Sequence, residues 1–139
     1  MAFRWLLMQP SETLDRRLAW VGLVLNAAGL PALVKLLSSG GEMSAANWAV
    51  GTSAILPALV LGVVASAALV KRRHWGRVVA IVALALSLAV SLSYGVVWLA
   101  LVAVDRPLVA VVLGGLVVVE LLALIYWCLP RPWWRRRGA

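Results

Sequence analysis

Charge is scarce in this chain. Of 139 residues, 13% are charged and 5 are acidic, against 13 Lys and Arg, whereas about a quarter of a soluble domain is charged. With so few carboxylates and no Gly-rich loop ending in Lys-Ser or Lys-Thr, hydrolases and phosphotransferases lack their parts. Cysteine and histidine are each present once, as Cys128 and His74. A lone cysteine cannot close an internal disulfide, nor supply the pair a thiol–disulfide redox enzyme needs; Cys128 is expected as a buried small apolar residue. His74 falls between apolar runs, so a haem-bridging bundle would have no axial ligand in its spans, and zinc and di-metal sites lack clustered ligands. No metal, no cofactor and no autonomous catalysis are expected.

Apolar residues fill the space that charge leaves. They make up 64% of the chain, and at this length there is room for a single membrane domain, residues 1–139, with no separate soluble module. Crossing a hydrocarbon layer of about 30 Å takes roughly 20 apolar helical residues. Four such runs occur, at about residues 18–37, 48–70, 78–104 and 108–129. They lack the alternation of barrel strands, and backbone groups in lipid must be satisfied internally, so the expected fold is an all-α integral membrane bundle of four transmembrane helices. Pro10-Ser11 followed by Glu12 and Asp15 reads as a helix start with acidic residues near the positive dipole end, so residues 1–17 are expected to include a short interfacial helix. Residues 130–139 form a basic tail, and the loop between the first two spans, residues 38–46, should be flexible.

The formal net charge is +8, which could suggest nucleic acid, but the cations sit beside apolar spans rather than along a soluble face. Arg4, Arg16 and Arg17 precede the first span. Lys71, Arg72, Arg73 and Arg77 join the second to the third, and Arg131, Arg135, Arg136 and Arg137 follow the fourth. The opposite side has Lys35 and Arg106. The positive-inside rule then predicts both termini on the cytoplasmic side. Lys71, Arg72, Arg73, Arg77, Arg135, Arg136 and Arg137 could also hold anionic lipid. Asn47 and Asp105 are expected as helix caps, and Trp5, Trp20, Trp48, Trp75, Trp98, Trp127, Trp133 and Trp134 as interfacial anchors. Lys35 should snorkel to the outer interface beside Glu42.

Helices in lipid associate through small residues and polar contacts. Ala54, Ala58, Gly62 and Ser66 form one four-residue ladder, and Ala83, Ser87, Ser91 and Gly95 form another. These ridges are expected to meet as the second and third spans pack antiparallel. Pro31 and Pro57 remove mid-span donors and should kink their helices near the carbonyls of Ala27 and Ser53. Glu120 is the one acidic residue inside a span, where charge is costly. Asn26 and Ser87 lie at its depth, which predicts a polar layer of Glu120, Asn26 and Ser87.

The stretch Ile55-Leu-Pro-Ala-Leu-Val-Leu-Gly, through Lys71-Arg-Arg-His-Trp-Gly-Arg to Val78-Val-Ala-Ile, resembles uncharacterised small bacterial four-helix membrane proteins, a likeness that implies no activity. Length and an embedded glutamate are similar to those of the small multidrug transporters, although their glutamate lies in the first helix. The run from Arg17 to Asn26 with the basic turn at Lys71 to Arg73 resembles the lipid-linked-sugar flippases, without the Asn-Arg pair expected at the end of their second helix. The leading expectation is a non-catalytic membrane subunit or assembly factor of a larger complex in the bacterial cytoplasmic membrane. Its partners would be membrane lipids and other integral subunits or further copies of itself, and not nucleic acid. The alternatives are a small oligomeric proton-linked transporter or lipid-carrier flippase using Glu120, and an accessory subunit whose Trp and Tyr line a pigment or quinone held largely by neighbouring chains.

Overall fold

The computed structural model describes residues 11–101 and 107–130. They form helices without strands: α1 Glu12–Ser38, α2 Ser44–Val70, α3 Trp75–Leu101 and α4 Pro107–Cys128. Each is long and apolar enough to cross a membrane, and the chain is a multi-pass membrane protein by that measure.

The helix starts and stops follow local chemistry. Ser11 caps α1, its hydroxyl accepting from the Leu14 amide at 3.2 Å, with Glu12 and Asp15 in the first turn. Residues 12–17, expected in a segment ahead of the span, are the opening turns of the spanning helix itself; residues 1–10 lie outside the described set. Only residues 39–43 separate α1 from α2, a shorter connection than the expected loop, with Gly41 turning at φ +118°. Asn47 does not cap α2. The helix begins at Ser44, one turn earlier, because Asn47 is buried and spends its side chain on a distant tyrosine instead. The Asp105 cap, Arg106 and the tail cations lie outside the described residues.

Pro57 acts on α2 through the turn before it. Lacking an amide hydrogen, it cannot bond the Ser53 carbonyl, and residues Gly51–Ile55 widen into a π-helical turn in which the Leu56 amide reaches back to the Gly51 carbonyl. Thr52 and Ser53 return their hydroxyls to the carbonyls of Trp48 and Ala49 at 2.7 and 2.5 Å. The exposed hydroxyls of Thr52 and Ser53 thereby find partners within their own helix. Pro31 lies inside α1.

The helices pack in chain order, α1 on α2, α2 on α3, and α3 on α4. The turn from α2 to α3 is tight. Arg72 adopts φ +56°, the Arg73 amide reaches back to the Ala68 carbonyl at 2.8 Å, and a Cβ on Gly76 would stand 2.8 Å from that of Ala68. A salt bridge of 2.6 Å from Arg72 to Glu12 ties this turn to the start of α1. Arg77 serves α4: its Nε donates to the Trp127 carbonyl at 2.8 Å and its Nη2 to those of Cys128 and Leu129 at 3.2 and 2.9 Å. A guanidinium thus closes carbonyls that the helix end leaves open, at the negative end of the dipole.

The small-residue ladders both turn inward, yet they do not simply face each other. Gly62 and Ser66 lie against α1, where a Cβ on Gly62 would collide with the Asn26 side chain and one on Gly22 would stand 2.9 Å from the Ser66 hydroxyl. Gly29 continues the seam, receiving Leu59. Ala83 is buried on α3, whereas Ser87, one turn along, turns to α4. Two further expectations are corrected. Trp127 is buried in the core with Tyr126, Ala19, Leu69 and Ala80 rather than anchored at an interface, and Cys128 is exposed, because the inward positions at the end of α4 are taken by the two larger rings. Trp20, Trp48 and Trp75 are exposed.

Candidate binding cleft

Sequential packing leaves α1 and α4 with little contact along their length. They meet at the end that also carries the Lys71 turn, where the Tyr126 hydroxyl donates to Asp15 Oδ1 at 2.6 Å. Tyr126 and Asp15 are buried, and the Trp127 ring stands edge-on to Tyr126 at 5.5 Å. This latch and the small core around it close one end of the bundle.

Towards the other end α4 leaves its neighbours. Among its residues Glu120, Tyr126 and Trp127 are buried, and all three lie in the half nearer the latch. Between α1 and α4, floored by α2 and α3, runs a cleft of about 1050 Å³. From Leu108 to Trp127 on α4 its wall extends about 28 Å at 1.5 Å per residue. Leu18, Leu25, Leu59, Leu84, Val112 and Leu116 contribute to an overwhelmingly apolar lining that contains no Lys, Arg or His.

The cleft's carboxyl is Glu120, 7% exposed and about 12 Å along the axis from Cys128. The Ser87 hydroxyl donates to its Oε1. Its Oε2 is buried with no hydrogen-bond partner among the described residues. Of the expected polar layer, the fold therefore joins Ser87 to Glu120. Asn26 lines the same cleft, but its Nδ2 donates to the Gly22 carbonyl of its own helix at 2.7 Å and its amide fills the notch above Gly62. Towards the other end the Tyr94 hydroxyl donates to Asn47 Oδ1, tying α3 to the start of α2.

Tyr126 and Tyr94 were not singled out by sequence, and Asp15 and Asn47 were read there only as helix-start residues. Tyr94 had a usable signal, since Ser87, Ser91 and Tyr94 fall at i, i+4 and i+7, one helical face. Asp15 and Tyr126 had a weaker one, in that both fall at the same end of antiparallel spans. Among the described residues no group of three or more His, Cys, Asp or Glu side chains is arranged to hold a metal. Arg77 and Arg72, counted among possible anionic-lipid contacts, are engaged by α4 carbonyls and by Glu12; Lys71 and Arg73 are exposed on the same turn.

Among the described residues, the fold and cleft define a multi-pass membrane protein of four helices with an open, apolar, carboxyl-bearing groove. Comparison with family models, with curated proteins and with solved structures finds no match.

Proposed function

We propose that this chain is a non-catalytic membrane subunit that works by binding other molecules within the bilayer. The observation that carries this reading is the outer face of α4. Gly114 and Gly115 lie there, away from the cleft, with no atom within 4 Å of where a side chain would begin, beside exposed Val111 and Val118. Two adjacent glycines in mid-helix cost about 1 kcal/mol each relative to alanine. Small residues on such a face allow close approach of a further transmembrane helix. Gly114→Leu together with Gly115→Leu should reduce the integral membrane protein recovered stoichiometrically in mild detergent about tenfold, as expected from contacts of 1–2 kcal/mol. Purification of the unaltered chain alone, or equal recovery from the variant, would sink the proposal.

In the orientation that the basic residues favour, the latch and the Lys71 turn face the cytoplasm and the Gly41 loop faces outward. In a Cys128→Ser background, a thiol introduced by Gly40→Cys should react with an impermeant maleimide from outside intact cells, and one introduced by Lys71→Cys should not. The opposite pattern would reverse the topology.

A second reading is favoured by Glu120 alone. A carboxyl oxygen left without a partner in an apolar cleft suits a small transporter or lipid-carrier protein that engages its cargo at that group.

A further inference from the structure

We infer that the end of the bundle carrying the α2–α3 turn holds an acidic phospholipid, whose phosphate lies among Arg16, Lys71 and Arg73 and whose chains run along α1 past Trp20. This goes beyond the subunit reading and does not depend on it, because this surface lies on α1 and the turn, and the proposed subunit contact on α4.

The fold brings together three cations that the sequence separates. Glu12 of α1 is bonded to Arg72 at 2.6 Å, so the start of α1 stands against the turn. Arg16 follows Glu12 by four residues and shares its helix face, about 6 Å further along. Lys71 and Arg73 flank Arg72, and the turn that presents them is pinned, the Arg72 and Arg73 amides donating to the carbonyls of Leu69 and Ala68 at 3.0 and 2.8 Å. Arg16, Lys71 and Arg73 are exposed, and among the described residues no side-chain hydrogen bond or ion pair engages them. Neither Arg16 nor Trp20 lines the cleft, so this surface is separate from it.

Among the described residues no acid is left to neutralise them. Glu12 is occupied by Arg72, and Asp15 is buried and receives the Tyr126 hydroxyl. Glu42 and Asp105 belong to the other two connections of the chain and Glu120 to α4, while residues 1–10 and 130–139 contain no acid. The head group follows from that imbalance. A phosphate diester gives the ammonium and the guanidinium groups a shared acceptor, with fork-shaped pairing to arginine. A zwitterionic head would bring its own ammonium into a cluster of cations with no carboxylate left to receive it. The level of the cluster selects a lipid over a soluble anion. One turn beyond Arg16 stands Trp20, 49% exposed, and one turn further Val24, 62% exposed. Within about 12 Å the cations thus give way to an indole and then to bare apolar helix. A lipid presents its charge and its chains in that order.

The test uses the purified full-length protein in nanodiscs of phosphatidylcholine and phosphatidylglycerol with identical chains, and counts by native mass spectrometry the lipid that stays on the protein when the disc is stripped away. Phosphatidylglycerol should be retained at least about tenfold over its share, since each cation near an anionic head group is worth about fivefold. Lys71→Gln should lower that preference about fivefold, whereas Lys35→Gln, the same change in the last turn of α1, should leave it unchanged. Arg16→Gln with Arg73→Gln, both at exposed positions, should bring retention to near parity, and Arg16→Lys with Arg73→Lys should keep most of it. Equal retention of the two lipids, or equal effects of Lys71→Gln and Lys35→Gln, would overturn the proposal. Displacement of the lipid by glycerol 3-phosphate or by poly-aspartate would overturn it too, marking a soluble phosphate or an acidic protein segment as the ligand.

Discussion

Gly62→Leu should lower the stability of the bundle by about 3 kcal/mol. Any Cβ at this position collides with the Asn26 amide, and Asn26 has nowhere to retreat without giving up its 2.7 Å bond to the Gly22 carbonyl. Overpacking a close interface typically costs 1–3 kcal/mol, more where neighbours cannot shift; here an exposed amide in an apolar seam adds to it. Since lipid is as apolar as the helices, close packing and polar contacts supply the attraction between α1 and α2. Separating the backbones therefore forfeits much of what holds them together. The measurement is reversible unfolding in mixed micelles titrated with a denaturing detergent. Recovery of stability in the double variant Gly62→Ala with Asn26→Ala would confirm the collision as the cause, whereas unchanged unfolding of Gly62→Leu would mean that α1 does not sit where the fold places it.

Tyr126→Ala is the second large effect, at about 3 kcal/mol. Tyr126 is 6% exposed and belongs to the core cluster that closes the bundle; emptying such a site costs about 3–5 kcal/mol for an aromatic ring. The hydroxyl can be weighed separately. Tyr126→Phe leaves the ring in place and removes one hydrogen bond to the buried Asp15, at a cost of about 1 kcal/mol. Because Tyr126–Asp15 is the described hydrogen bond between the first and last helices, both variants should also lengthen the distance between labels on α1 and α4, read by pulsed electron–electron resonance. Equal stability for Tyr126→Phe and the unaltered chain would remove the latch from the energetics and leave the ring alone to close that end.

The four helices were legible because their signal is local. Each span must satisfy its own backbone in lipid and present an apolar surface, and both requirements are written in a single continuous run. Ser11 was readable as a start for the same reason, its hydroxyl serving an amide three residues on. The candidate site was half legible. Glu120 stood out as an acid in an apolar span, and equal depth pointed to Ser87, which does meet it.

Depth alone could not say which way a side chain turns about its helix axis, and that is what only the tertiary structure decided. Asn26 shares the depth of Glu120 but points into the notch above Gly62, because the small face of α2 lies against α1. Asn47 looked like a cap and became a partner of Tyr94 across 47 residues of chain. Trp127 looked like an interfacial anchor and became core, and Asp15 looked like a dipole partner and became half of a latch. Composition and periodicity determined that the described residues hold four helices long and apolar enough to cross a bilayer. Their mutual rotation, and with it the cleft left open between the first and the last, depends on pairings between segments far apart in sequence, where close packing of a few small residues chooses among faces that hydropathy cannot tell apart.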